Sequence, residues 1–347
     1  MAEPATVGSD RGTDRDLLEG IKDARIKAVG FLTNRIGEHG RPDGWDQANA
    51  WWRAPWALCA AGAPDAAASM MGWIEREALT DEADLRGGSF GGDGPGTPVY
   101  LLSPIAIAAA LLGHHGTASA VMDRLAHWTD KETGGAYEYQ NYREDPLQDM
   151  LKTGQLGVSA LITGRRDVAD GVFGWLRSIW DAQPELPTRL YPSMSGGKLV
   201  TQFDENVRLL RVVDYERPKQ LYFHSGIAGA FLAGYGDQTG SPEAINLADQ
   251  YLDLNRKGTE AQFTDESSVQ VCKFGWGAAI LQIAEPTAAR RQWVERMGAW
   301  FVDRQNPDGS WAPASFMAPE PGLLDHYWKT AEHLMELAYI EQSLLSS

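Results

Sequence analysis

The chain has 347 residues, 43% of them hydrophobic, with thirteen Trp, two Cys and a formal net charge of −16. That acidity argues against a phosphate-binding surface, and so against nucleic acid as a partner. Two cysteines cannot organise a disulfide scaffold, no apolar run reaches the length of a membrane span, and the Met1–Gly12 segment lacks the apolar core of a secretory signal. The expectation is a cytoplasmic protein whose partner is a small-molecule substrate; composition does not set its oligomeric state.

Residues 1–14 read as a disordered tail, and 15–347 as one domain. From residue 15 onward apolar residues recur at helical spacing, cut by Gly, Pro and Asp clusters. The pattern predicts helices over 15–37, 46–62, 64–79, 98–113, 116–130, 146–163, 166–183, 219–235, 241–256, 266–284, 286–305 and 323–345. The odd members are amphipathic, as in Asp16–Lys27 and Ala288–Arg296, and read as an outer layer with one wet face. Most even members are apolar nearly all round, as in Ile105–Leu112 and Gly226–Gly234, and read as buried. Links after even helices are short, such as Gly62-Ala63-Pro64 and Glu285-Pro286, whereas links after odd ones are long and rich in Gly, Asp and aromatics. An open solenoid would repeat one consensus, which these loops do not. The expected fold is therefore all-α: an (α/α)6 toroid, six helical hairpins closed into a ring. Within 187–215, Ser195-Gly196-Gly197 and the run Val207–Val213 predict an inserted β-hairpin near the ring's mouth.

In such a ring the long loops and the N-terminal ends of the inner helices converge on one face. Trp51, Trp52, Trp56, Tyr137, Tyr222, Trp276 and Trp328 fall there, and read either as the wall of a substrate cavity or as plain core. Charges on inner helices say more, because a buried charge needs a partner or a task. The second helix holds Asp46 and Arg53, the sixth Asp149 and Lys152, the eighth His224, and the twelfth Asp325 and His326. An Asp149–Lys152 ion pair, a neutral hydrogen-bonded His224 and an N-capping Asp325 are the structural readings. The functional reading makes Asp46, Asp149, His224, Asp325 and His326 the proton donors and acceptors, with Arg53 on the substrate.

The segment Met297–Trp311 ends a helix at Gln305 and turns through Asn306-Pro307-Asp308-Gly309 to Trp311, with weaker echoes at Asp43-Gly44-Trp45 and Gly134–Tyr137. It resembles the repeat of squalene–hopene-type cyclases in the terpenoid cyclase and protein prenyltransferase toroid superfamily, although the chain has a single barrel and no Asp-x-Asp-Asp motif. The resemblance implies that Gln305 and Trp311 stiffen the barrel. It further implies a cyclase, isomerase or lyase of secondary-metabolite biosynthesis, acting on an apolar terpenoid- or polyketide-like molecule. Cys272–Trp276 and Asp325-His326 also resemble the zinc prenyltransferase subunit, which implies Asp265, Cys272 and His326 as candidate zinc ligands; the main reading has no cofactor. Carbohydrate enzymes share this ring type. The alternative is therefore a glycoside hydrolase or sugar epimerase with Asp46 and Asp149 as paired acids. A non-catalytic binding toroid is the third reading.

Overall fold

The computed structural model describes residues 10–45, 50–86, 96–267 and 271–346. Helix α1 (Asp10–Thr33) packs on the last helix of the chain, and after it α2 (Ala54–Ala60) packs on α3 (Pro64–Trp73), α4 (Val99–Leu111) on α5 (His115–His127), and α6 (Met150–Thr163) on the helix that follows it. Next comes α7 (Arg166–Asp181), joined to α9 (Phe223–Thr239) by an insertion holding the short α8 (Arg208–Arg211). Helix α10 (Pro242–Lys257) pairs with α12 (Cys272–Ala284) past the short α11 (Ala261–Thr264), and α13 (Ala288–Asp303) pairs with α14 (Leu323–Ser346).

The two layers follow the two kinds of sequence. Helix α7 buries Ala169, Val172, Trp175, Leu176 and Ile179, a single stripe at helical spacing, whereas α9 is buried on almost every face. The inner helices pack in a closed circuit, α2 on α4, α4 on α6, α6 on α9, α9 on α12, α12 on α14 and α14 on α2. The expected toroid is therefore the observed one. None of the described helices is long and apolar enough to cross a membrane.

Element starts differ from the periodicity where local chemistry intervenes. Helix α2 begins at Ala54, with Pro55 in its first turn, where a missing N–H costs nothing; part of the expected earlier start lies outside the described residues. Helix α6 begins after Asp149, whose carboxylate accepts from the Lys152 backbone N–H as an N-cap. The predicted hairpin is present at its Gly pair, but the Val207–Val213 run expected to supply a strand is helical through Arg211, and only Val213 of it is in a strand. Strand β1 (Leu147–Asp149) leads into α6, and β2 (Arg189–Leu190) precedes β3 (Ser193–Ser195) and β4 (Lys198–Leu199). The last two pair antiparallel across Gly196 and Gly197, with φ of 54° and 75°, the left-handed backbone such a two-residue turn demands. Strand β3 also pairs with β1, and β2 with β5 (Val213–Asp214), so the insertion is stitched to the entrance of α6.

The Gln305–Trp311 unit is a joint between three helices. Gln305 Nε2 donates to the carbonyls of Ala24 on α1 (2.7 Å) and Gly309 (3.1 Å). Trp311 Nε1 donates to Phe301 O on α13 (2.9 Å), and its backbone N–H to Thr330 Oγ1 on α14 (3.0 Å). Gly309 has φ of 88°, and a Cβ there would stand 2.5 Å from Lys27 O, so the turn and α1 approach as only glycine allows. The last two helices are thereby locked to the first.

Candidate active site

A cavity of about 440 Å³ opens among the inner helices, at the ends where the long loops gather. Trp52, Tyr100, Phe223 and Trp328 give it aromatic walls, and Lys273, Lys329 and Glu332 give it one charged side. That is the size of a small-ligand site, apolar with a few convergent polar groups.

The charged side is built from four helices. Glu332 of α14 is 2% exposed, and its Oε1 accepts from Arg53 Nη1 of α2 (2.6 Å), from Lys273 Nζ of α12 and from Tyr100 OH of α4 (3.3 Å). Its Oε2 accepts from Lys329 Nζ, one turn earlier on α14, at 2.5 Å. Burial alone would push the Glu332 pKa up, but Lys273, Lys329 and Arg53 outweigh it and hold the carboxyl well below its ordinary range. Burial likewise works against the Lys273 charge, and Glu332 more than compensates, so this ammonium is firmly protonated. Arg53 is clamped over the rings of Trp52 (4.4 Å) and Tyr100 (5.0 Å), and its Nε and Nη2 are buried without a partner among the described residues. Three cations thus converge on one carboxylate, an arrangement that stands only because each bond is short and enclosed.

His224 begins α9 and is 5% exposed. Its Nδ1 lies 2.9 Å from Leu221 O, a carbonyl that can only accept, so Nδ1 carries the proton and Nε2 is left with a lone pair. Burial lowers its pKa to about 4, keeping the ring neutral, while Glu138 opposes that shift and Lys273 and Arg211 add to it. The adjoining Phe223 ring, 4.6 Å from the imidazole, lines the cavity. Close backbone packing sets this placement: a Cβ on Gly226 would lie 2.3 Å from the Lys273 carbonyl carbon, so α9 touches α12 at Lys273, within one turn of His224. On the other flank Arg211 grips Glu138 with two bonds (2.9 and 3.2 Å), and Lys152 Nζ donates to Glu138 O at 2.5 Å.

The residues singled out from the sequence separate into three groups. Trp52, Trp328 and Asp325 line the cavity, and Arg53 supports its charged side. Asp149, raised in pKa by burial against the pull of Lys152, caps α6. His224 adjoins the lining residue Phe223 without itself lining the cavity, and the remaining ones serve packing or loops. Trp51 meets Trp73 edge-on at 5.1 Å, Trp56 meets Trp276 at 5.7 Å, and Tyr137 stacks on Tyr142 at 4.4 Å. Tyr222 donates to Arg217 O, and His326 Nδ1 faces Ser310 Oγ at 3.3 Å in the Gln305–Trp311 joint. Asp46 lies outside the described residues. Lys273, Lys329 and Glu332 escaped the sequence reading, although charges inside the apolar stretches Cys272–Trp276 and Lys329–Leu337 were the signal for them.

The donor set that meets in space is also different from the one the sequence suggested. Cys272, His333 and Glu336 each offer one atom within 4.8 Å of the others, while Asp265 accepts from Ser267 in its own turn. His333 Nδ1 is already 3.1 Å from Glu336 Oε2, and Lys273 and Lys329 stand close enough to bear on the Cys272 thiol.

Neither family profiles nor curated proteins match the sequence. Solved structures match its fold. A D-mannose isomerase superposes with a TM-score of 0.67 over 100% of both chains at 11% identity. A family 76 glycoside hydrolase from a bovine Bacteroides thetaiotaomicron strain gives 0.65 over 94% of this chain and 78% of its own, at 13% identity. The GH76A α-1,6-mannanase of a Salegentibacter species gives 0.62 over 94% and 99%, at 10% identity. These are carbohydrate enzymes. They overturn the resemblance to terpenoid cyclases and prenyltransferases, and with it the apolar terpenoid- or polyketide-like substrate and the secondary-metabolite cyclase or lyase. The reason is physical: a Gln-to-Trp turn that pins an outer helix to its neighbours serves any closed helical ring, and reports the joint rather than the chemistry.

Proposed function

We propose that the chain is an enzyme acting on a small sugar by proton transfer, an isomerase or epimerase working on the carbon beside the open-chain carbonyl. One observation carries this reading: an imidazole fixed as a single tautomer through Nδ1, its Nε2 without a hydrogen-bond partner among the described residues, close enough to the protonated Lys273 to feel its charge. His224 Nε2 would take the proton from the carbon, and the Lys273 ammonium would hold the carbonyl oxygen as its negative charge grows. Return of the proton to the opposite face of the same carbon gives the epimer; return to the neighbouring carbon, with the proton of the adjacent hydroxyl passing to the former carbonyl oxygen, gives the isomer, and neither changes the net atoms. Trp52 and Trp328 offer flat faces for a sugar ring or chain. The fold shared with a D-mannose isomerase supports the same class.

Glycoside hydrolysis, the chemistry of the family 76 neighbours, asks for two carboxyl groups roughly 5–9.5 Å apart, one of them protonated. Glu332 is pinned as a carboxylate by three cations and cannot be the acid. The test is a panel of common aldoses and ketoses followed by chromatography, beside α-1,6-linked mannose oligomers. Interconversion of monosaccharides is expected; release of reducing ends from the oligomers, with no interconversion, would reverse the assignment.

A further inference from the structure

Three positive groups, Arg53, Lys273 and Lys329, share the single carboxylate of Glu332. The next acid along α14, Glu336, bonds to His333, and its charge bears on Lys273 and Arg53, so three cations face two carboxylates. Asp325, on the cavity wall one turn before Lys329, accepts instead from Gly322 N–H (3.0 Å) and Trp328 Nε1 (3.5 Å). A buried cation without a matching anion is costly, and burial here is nearly complete: Lys273 is 4% exposed and Lys329 is 6%. Each ammonium has three N–H groups. Lys329 spends one on Glu332, and its Nζ lies 4.4 Å from the Trp328 ring centre at the cavity wall. Its remaining donors border the cavity.

Resting on the proton-transfer reading, in which Lys273 serves the carbonyl, we propose that Lys329 receives an anionic substituent of the substrate, so that the natural substrate is an acidic sugar, carrying a carboxylate or a phosphate, rather than a neutral one. The substituent replaces the missing counter-charge, and its bond to Lys329 forms inside an enclosed site where it is strong. The two ammoniums divide the work: one at the reacting end, one at the anchored end.

The experiment uses matched pairs that differ in one group: glucose with glucuronate, mannose with mannuronate, and each hexose with its 6-phosphate. Deuterium uptake from D₂O gives kcat/KM for each. A hydrogen bond to a charged group corresponds to a preference of roughly ten- to a hundredfold for the acidic member. Preference for the carboxylate or for the phosphate supports the proposal and identifies the group. In Lys329→Met that acidic-to-neutral ratio collapses, while Lys329→Arg restores most of it; melting curves of both variants establish that they fold. Wild-type melting temperature, raised by the acidic sugar and not by its neutral twin, tests the proposal without any variant. Equal kcat/KM within pairs, or an unchanged ratio in folded Lys329→Met, overturns it while leaving the isomerase reading intact. Failure of every sugar, acidic and neutral, to exchange deuterium removes the isomerase reading and this inference together.

Discussion

Glu332→Gln is the sharpest perturbation of the charged side, because it keeps the side-chain volume and deletes only the negative charge. The carboxylate is bonded to Arg53, Lys273, Lys329 and Tyr100, and all three cations are at most 6% exposed. Removing one partner from a buried ionic cluster costs about 3–5 kcal/mol, since the survivors are left facing one another in a poorly polarisable interior. At roughly 2–4 °C per kcal/mol for a large domain, the melting temperature should fall by about 6–20 °C. Added salt should recover little of it, because enclosed charges are poorly screened. Lys273→Met in the same background removes one of the repelling cations, so the double variant should be less destabilised than the sum of the singles, by about 0.5–3 kcal/mol. Calorimetry with a urea series on the four proteins gives the cycle. A Glu332→Gln protein that melts within about 2 °C of wild type, or singles that simply add, would refute the claim that these cations depend on one carboxylate.

His224 has a folded pKa of about 4 against an ordinary 6.5, so the fold favours the neutral ring. Its contribution is complete above about pH 6.5 and is lost as pH falls toward 4, to a limit of about 3 kcal/mol. Urea midpoints should therefore drop between about pH 7.5 and about pH 5 more in wild type than in His224→Gln; equal drops would show that another group dominates. Gln305→Ala should cost about 1–3 kcal/mol through its lost bonds to Ala24 and Gly309, and Trp311→Ala about 3–5 kcal/mol, with kcat unchanged at temperatures where both are folded. A loss of kcat in a folded variant would move the joint into the site. For Cys272, His333 and Glu336, burial and the carboxylates of Glu336 and Glu332 hold the Cys272 thiol well above its ordinary pKa, so the thiolate that zinc needs is disfavoured and elemental analysis of purified protein should find no stoichiometric zinc. Zinc at one per chain, lost in Cys272→Ala, would contradict that.

The architecture was legible because it is written in local periodicity: α7 with its single buried stripe and α9 apolar on every side announce their layers residue by residue. The turn of the hairpin was legible in the Gly196-Gly197 pair, whereas the β-branched run Val207–Val213 pointed to a strand where helix α8 forms instead. The site was legible only in its parts. Arg53 and His224 stand out as charges at the starts of apolar helices, yet the Arg53 partner, Glu332, is 279 positions away. Only closure of the ring brings α2 and α14 together. The aromatic residues were hardest to place, since a Trp at a helix opening is equally suited to Trp52's place on the cavity wall and to Trp276's in the core. The cyclase resemblance misled because it rested on a fifteen-residue joint whose partners, Ala24, Phe301 and Thr330, are all structural.

The measurement that reaches the central claim most directly is proton exchange followed by NMR in D₂O. Wild-type protein should replace the hydrogen on the carbon beside the sugar carbonyl with deuterium and accumulate the isomeric sugar, while folded His224→Gln does neither. Exchange at the wild-type rate in His224→Gln, or cleavage of a glycosidic bond with no deuterium incorporated, would contradict the account.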